Sequence, residues 1–313
     1  MGNQIVDYSN GYTDINSVSY RGLPACSDSY SDMAGAARRL LTAGLASAIV
    51  AAAALLSGCA HVPEETYKPR VGQEGKDVIW VPSPPAVVER MRDIAKVTRD
   101  DVVMDLGSGD GRNVIAAARR GARAVGVEFN PELAAMSNRS AAREGLAGRA
   151  SFVQGDMFAA DISQASVLAL FLLPDNLRRL VPKFVDMKPG SRIVVNYFGI
   201  DGWEADLTEE MKADCQPWCV IKLYIVPAKV GGKWQLAEGE LEIEQSHQML
   251  RGTLSAGGVK TDIANARMDG ERIVFTVGNT EYTGRVNGER MQGQRAGGAG
   301  GVAGAWTATR ARP

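Results

Sequence analysis

Asp105-Leu-Gly-Ser-Gly-Asp-Gly111 sets three glycines at alternating positions together with two carboxylates, directly after the apolar run Val102-Val103-Met104. Such a turn takes a chain from a strand into a helix and leaves backbone bare for a ligand. Arg112 stands where a dinucleotide fingerprint carries its third glycine. Asp105 and Asp110 would repel a pyrophosphate, but they suit a ligand bearing an ammonium and a sulfonium. Glu128 closes the next β-branched run about 20 residues on, where an acid can accept hydrogen bonds from both ribose hydroxyls. Gly155-Asp156-Met157-Phe158 then offers a carboxylate for an adenine amino group and apolar side chains for its ring. Together these residues favour S-adenosylmethionine. The candidate cofactor contacts are Asp105, Gly107, Ser108, Gly109, Asp110, Gly111, Glu128, Phe129, Asn130, Asp156, Met157 and Phe158. Each has a plainer reading alone: turn geometry for Gly107 and Gly109, a solvated strand end for Glu128, a turn cap for Asp156, core for Met157 and Phe158.

The elements that must position these residues alternate in type. "DVVMDL" reads as a strand, "RNVIAAARRG" as a helix closed by Gly121, and "ARAVGVEF" as a second strand. "NPELAAMSNRSAAREGL" reads as a helix with Asn130 as N-cap and Pro131 in its first turn. "ASFVQGD" and the wholly apolar "SVLALFLL" supply two more strands, the latter suited to burial on both sheet faces. "PDNLRRLVPKFVDMKPG" is a helix with its exit turn, and "SRIVVNYF" a fifth strand. This alternation predicts an α/β fold, a Rossmann-like, doubly wound, mostly parallel sheet with its ligand at the carboxyl ends of the strands.

With these stretches in view, the chain resembles the class I, seven-β-strand methyltransferases. More closely, it is similar to the small lysine methyltransferases that modify the ATP-synthase c-subunit or the adenine nucleotide translocase, and to their bacterial relatives. The resemblance rests on "WVPSPPAVVERMRDIAKV", "DVVMDLGSGDGRNVIAAARRGARAVGVEFNPEL" and "FLLPDN", within Trp80 to about Trp234. It implies a seven-stranded sheet, with Asp105, Gly107, Gly109 and Asp110 at the methionyl end of the cofactor, Glu128 at the ribose and Asp156 at the adenine. It also implies that Phe171 to Pro174 line the face where the methyl group moves. Two positions depart from the pattern of the bacterial relatives: Phe171 stands where they usually carry Tyr, and Asn196 where they often carry His.

Methyl transfer from a sulfonium is a displacement with a good leaving group, so positioning is the main work. No general base stands out. Phe171, Pro174, Asp175, Asn196 and Tyr197 are the candidates to contact the acceptor, and "WVPSPP" is a candidate lid, or else an extended edge segment. The acceptor is a protein, with a lysine side chain as the leading expectation, or a small molecule. The two histidines, His61 and His247, have no neighbouring ligand or base, which argues against a metal site and a Ser-His-Asp hydrolase. A net charge of −1 gives no general case for nucleic acid.

The flanks raise a question of location. Residues 1–32 are polar and read as a mis-assigned start or a disordered extension. From Met33, Arg38-Arg39, an uncharged run to Leu56 and Leu56-Ser57-Gly58-Cys59 make a lipoprotein-type signal, with Cys59 as the acylated residue. Residues 60–78 follow as a polar tether, 79–239 as the methyltransferase domain and 240–313 as a small antiparallel β module. The expectation is a membrane-anchored lipoprotein. The alternatives are a cytoplasmic or inner-membrane-tethered enzyme, or an exported binding or structural lipoprotein on a retired methyltransferase fold. Cys215 and Cys219 would form a local disulfide if the domain is exported and remain thiols otherwise. "CVIKLYIVPA" and "GGKWQLAEG" alternate like the closing hairpin of the main sheet. "ARMDGERIVF" and "GRVNGERMQG" form a weak repeat built on Asp-Gly and Asn-Gly hairpin signals, read as a small sheet or partial barrel.

Overall fold

Strand β1 (Val102–Leu106) is flanked on one side by β2 (Arg123–Glu128) and β3 (Ala150–Gln154), and on the other by β4 (Val167–Leu170) and β5 (Arg192–Asn196), all parallel. The computed structural model describes residues 67–212, 215–298 and 300–311, so the signal-like run, Cys59 and the first part of the tether, up to residue 66, lie outside the described residues. Pro69–Pro313 forms one unit, to which the following description belongs. Two antiparallel strands, β6 (Leu207–Glu210) and β7 (Val220–Ile225), complete a seven-stranded sheet of order β3-β2-β1-β4-β5-β7-β6. All four residues of β4 are buried, as its uninterrupted apolar sequence requires of a strand covered on both faces. The strand order reverses between β1 and β4, and the carboxyl ends of the strands at that switch are where such sheets bind ligands.

Four helices cover the sheet: α1 (Pro85–Ile94), α2 (Arg112–Arg119), α3 (Pro131–Arg143) and α4 (Pro174–Phe184). The start of α3 is fixed by Asn130, whose side chain accepts from the backbone N–H groups of Glu132 at 2.9 Å and Leu133 at 3.3 Å. Gly111 caps α2 at φ +80°; a Cβ there would lie 2.5 Å from the Phe152 ring and 2.8 Å from Ser137. Only glycine fits that corner.

The expected closing hairpin does not form. Strand β7 pairs with β6, a short and largely exposed edge strand of sequence Leu-Thr-Glu-Glu. Strand β8 (Gly232–Leu236) instead opens a second structure, ahead of the boundary expected at 240. It continues through β9 (Gly239–Ser246), β10 (Met249–Ala256), β11 (Val259–Asp269), β12 (Arg272–Val277), β13 (Thr280–Asn287), β14 (Arg290–Gly297) and β15 (Gly304–Arg310). Each pairs with the next, and β15 closes on β8, giving a closed eight-stranded barrel rather than a partial one. The physical reason is Trp234, fully buried with its indole N–H donating to the Val230 carbonyl at 2.7 Å. That ring belongs to the barrel core with Phe275, Tyr282 and Trp306. Eight strands leave an interior that side chains can just fill, and these rings fill it: Phe275 stacks on Tyr282 at 4.7 Å, and Trp306 meets both edge-on.

The barrel is fastened to the sheet side by polar and aromatic contacts. His247 stacks on Trp203 at 4.4 Å, Gln248 Nε2 donates to the Glu204 carbonyl at 2.6 Å, and Arg267 pairs with Asp206 at 2.9 Å. Trp203, Glu204 and Asp206 lie in the segment that joins β5 to β6.

Candidate active site

A cavity of about 690 Å³ opens at the carboxyl ends of β1, β2 and β3, within the range of small-molecule sites. Its floor includes Gly107, Glu128, Phe129, Asn130, Asp156 and Met157, and Phe171 stands at its margin. Its roof is Gln73–Val81, a segment read from sequence as mostly tether. The roof closes on itself through Gly72 N–H to the Trp80 carbonyl and Trp80 N–H to the Gln73 carbonyl, both 2.9 Å. It is latched to α4 by Asn176 Nδ2 on the Asp77 carbonyl at 3.2 Å and by Arg179 on the Asp77 carboxylate at 3.3 Å.

Glu128 ends β2 nearly buried, its carboxylate held by two backbone donors: Gly109 N–H to Oε2 at 2.8 Å and Asn130 N–H to Oε1 at 2.9 Å. An ionised carboxylate has about four acceptor positions, so two remain for hydroxyl donors on the cavity side. A ribose 2′,3′-diol is such a donor pair, and on this count the site fits S-adenosylmethionine. Asp156 accepts from Phe158 N–H at 2.8 Å and from Lys76 Nζ at 2.5 Å. The Lys76 ammonium, with the Phe158 N–H, holds its carboxyl below the usual range. Lys76 also lies 5.1 Å from the centroid of the exposed Phe129 ring.

The other candidates of the glycine turn stand behind the cavity wall. Asp105 is buried, accepts from Asn113 Nδ2 at 3.1 Å, and is pushed up to about 8 by loss of solvent, a rise that Asn113 opposes and Glu128 and Asp110 reinforce. Asp110 pairs with Arg112, whose guanidinium also donates to the Ser83 carbonyl at 2.6 Å, tying the turn to the proline-rich segment. Gly109 packs under Trp80, Gly111 against Phe152, and the buried Ser108 hydroxyl has no partner among the described residues. Phe158 lies beneath the Arg179 guanidinium, 3.5 Å from its ring centroid, and does not line the cavity.

On the acceptor side, Phe171 and Tyr197 meet through a ring that sequence reasoning does not single out. Trp218 lies 5.2 Å from Phe171 and 5.0 Å from Tyr197, and Phe198 completes the cluster. The signal available in the sequence was an aromatic residue enclosed between two cysteines. Cys215 and Cys219 are joined by a disulfide, with their Cα atoms 5.1 Å apart. Asn196 is fully buried, its amide donating to Ser83 Oγ at 3.1 Å. Pro174 opens α4, and Asp175 turns to solvent to pair with Arg178 at 2.7 Å. Among the described residues no cluster of His, Cys, Asp or Glu could hold a metal ion, and no helix is long and apolar enough to cross a membrane.

Residues 105–207 match the model of the ANTKMT methyltransferase domain. A protein-lysine N-methyltransferase of Saccharolobus islandicus (strain REY15A) is 46% identical over 129 residues, 40% of this chain and 80% of that protein. A lysine N-methyltransferase of the ATP-synthase c-subunit from Rattus norvegicus is 35% identical over 133 residues, covering 42% of this chain and 62% of that protein. Among solved structures, an RNA methyltransferase from Salinibacter ruber in complex with S-adenosyl-L-homocysteine is 40% identical, covering 48% of this chain and 96% of that one at a TM-score of 0.45. With the Saccharolobus islandicus relative covered over most of its length, this chain belongs to the ANTKMT-type family of S-adenosylmethionine-dependent methyltransferases.

Proposed function

We propose that this protein transfers the methyl group of S-adenosylmethionine to the side-chain amine of a lysine in a protein. The observation that carries the reading is Glu128: a carboxylate that lines the cavity and is fixed by two backbone N–H groups. The names of the two lysine methyltransferase relatives support the acceptor class. Glu128 and Asp156 would hold the ribose and the adenine, and Gly107 leaves room beside them at φ +75°. Bound there, the cofactor supplies an electrophilic methyl group on a positively charged sulfur. The chain's own task is to align the amine and exclude water. The apolar faces of Phe171, Tyr197 and Trp218 do this at the margin of the cavity, and removing solvent from a lysine ammonium eases loss of its proton.

Calorimetric titration of the full chain with S-adenosylhomocysteine tests the pocket. Glu128→Ala removes two acceptor positions, each worth about 1.5–3 kcal/mol when charged, so affinity should fall at least about 100-fold. The acceptor class is read by incubating the full chain with tritiated-methyl S-adenosylmethionine and a membrane-protein extract, then hydrolysing to amino acids. Counts in methyl-lysines support the reading; counts elsewhere, or none, defeat it.

We also propose that the protein is held at a membrane by acylation of Cys59. The Cys215–Cys219 disulfide supports a location outside the reducing cytoplasm. Palmitate labelling in cells, compared with Cys59→Ala, tests the anchor: equal labelling removes it.

A further inference from the structure

We propose that Phe171, Tyr197 and Trp218 form the wall that receives the lysine ammonium, and that the Cys215–Cys219 disulfide holds Trp218 in that wall. The inference rests on the methyltransferase reading above and names the residues that recognise its acceptor.

Three separate stretches bring the rings together. Phe171 follows β4, Tyr197 and Phe198 follow β5, and Trp218 precedes the antiparallel β7. All three points lie on the carboxyl edge of the parallel strands, the same edge that carries the cofactor cavity. Phe171 belongs to both places: it lines the cavity and lies 5.2 Å from Trp218. The wall therefore begins where the cofactor site ends.

Tyr197 shows that the arrangement is not ordinary core packing. Its φ is +67°, a conformation that costs a non-glycine residue on the order of 1–3 kcal/mol. The backbone is held there by its N–H donating to the Val220 carbonyl at 2.7 Å. The effect is to keep the residue 37% exposed, with its ring edge-on to Trp218 at 5.0 Å. Trp218 itself is buried, with 8% of its surface exposed, so Tyr197 presents the open face of the cluster and Trp218 backs it. Aromatic faces attract an ammonium, and the attraction competes best for methylated ammoniums, which water holds less tightly. Asp175, four residues after Phe171, is exposed and turned away to pair with Arg178.

Trp218 arrives by a loop, not a strand. Its backbone N–H donates to the Cys215 carbonyl at 2.8 Å, and the disulfide joins the residues on either side of it. Cys215 and Cys219 are both buried in the core cluster beneath the sheet, so the cross-link pins the loop at its base while the indole reaches Phe171 and Tyr197. Dithiothreitol would pass two electrons and two protons to the sulfur pair, leaving two thiols and its own cyclic disulfide, and would release the loop without touching the cofactor cavity.

The test uses the full chain saturated with S-adenosylhomocysteine, titrated calorimetrically with Nα-acetyl-Nε-trimethyl-lysine amide. The neutral isostere, with carbon in place of the quaternary nitrogen, serves as control. The wild type should bind the cation and prefer it to the isostere. Trp218→Ala should weaken cation binding about tenfold, Trp218→Phe by no more than about threefold, since a ring face remains. Dithiothreitol, or Cys215→Ser with Cys219→Ser, should weaken the wild type to the Trp218→Ala level and leave Trp218→Ala unchanged. S-adenosylhomocysteine affinity should hold throughout. If the cofactor product itself fails to bind the wild type, the methyltransferase reading falls. If it binds but the wild type shows no preference for the cation, or Trp218→Ala and reduction leave that preference intact, the wall is refuted and the rings are core.

Discussion

Replacing Asp105 by Asn should stabilise the protein, and more so as the pH rises. The carboxyl sits at the end of β1 with 3% of its surface exposed and one side-chain donor, Asn113. Burial, with Glu128 and Asp110 nearby, moves its pKa from 3.8 to about 8. The folded chain therefore keeps a proton that the unfolded chain gives up, and stability falls with pH across that window. The contribution is complete below pH 3.8 and is lost as pH climbs through about 8. A shift of about four units at about 1.4 kcal/mol each sets an upper bound of about 6 kcal/mol. Water entry and relaxation around a buried charge reduce it, and an effect of about 2 kcal/mol is the working expectation. Asn has the size of the protonated acid and still accepts from Asn113, so Asp105→Asn should match the wild type near pH 4. It should exceed it by about 2 kcal/mol or more at pH 8.5. Urea denaturation at both pH values, followed by circular dichroism, reads the difference directly. Parallel stability profiles would mean that Asp105 titrates as a solvated carboxylate, and the placement of its side chain behind the turn would be wrong.

Three other perturbations have defined outcomes. Gly109→Ala adds a Cβ 2.6 Å from the Trp80 indole nitrogen at φ +56°, so the roof must shift. Calorimetry should show S-adenosylhomocysteine affinity down about tenfold, with a stability loss of about 1–2 kcal/mol. His247→Ala removes the stack on Trp203 that fastens the barrel. It should cost about 0.5–1.5 kcal/mol and speed limited proteolysis between the sheet and the barrel. Burial holds His247 below its usual value of 6.5, so its protonation should weaken the wild type, not this variant, as pH falls below 6.5. Trp234→Ala empties the centre of the barrel and should cost about 3–5 kcal/mol in thermal denaturation, with the barrel melting before the sheet.

The alternating half of the fold was legible because its signals are strong and local. β1 to β5 are short apolar or β-branched runs, three of the four helices begin at a proline and α2 at the Gly111 cap, and each strand appears where the pattern places it. The edge of the sheet was not legible. β6 is Leu-Thr-Glu-Glu, with no buried face to produce an apolar period, and it exists only because β7 offers an unpaired edge. The same competition explains β8. Its alternation fits either the sheet or the barrel, and the choice is made by Trp234, whose ring is buried by residues as distant in sequence as Trp306. The repeat around Asp269-Gly270 and Asn287-Gly288 did mark two hairpins, but closure depends on pairing β15 with β8, which no local signal reports. At the site, Glu128 and Asp156 were legible from spacing, whereas Lys76 and Trp218 reach it by long-range contacts.

That difference bears on what a glycine-rich turn can establish. Gly111 is required because a Cβ would collide with Phe152 and Ser137, and Gly109 because one would collide with Trp80. Both demands come from the packing of α2, α3 and the roof, and would stand in a chain that bound nothing. Gly107 is different: its Cβ would meet Leu172 at 3.3 Å, a contact that gives by a few tenths of an ångström, and it alone of the three lines the cavity. Asp105 and Asp110 likewise face Asn113 and Arg112. The turn motif thus specifies the fold, and the ligand is specified by the groups that the turn positions. Gly109 N–H orients Glu128, and the carbonyl of Glu128 accepts from Gly155 N–H at 2.9 Å, one residue before Asp156. A retired pocket could keep every glycine and lose either acid without strain. Both acids are present and held, and it is on this pair, more than on the glycines, that the proposed cofactor contacts rest.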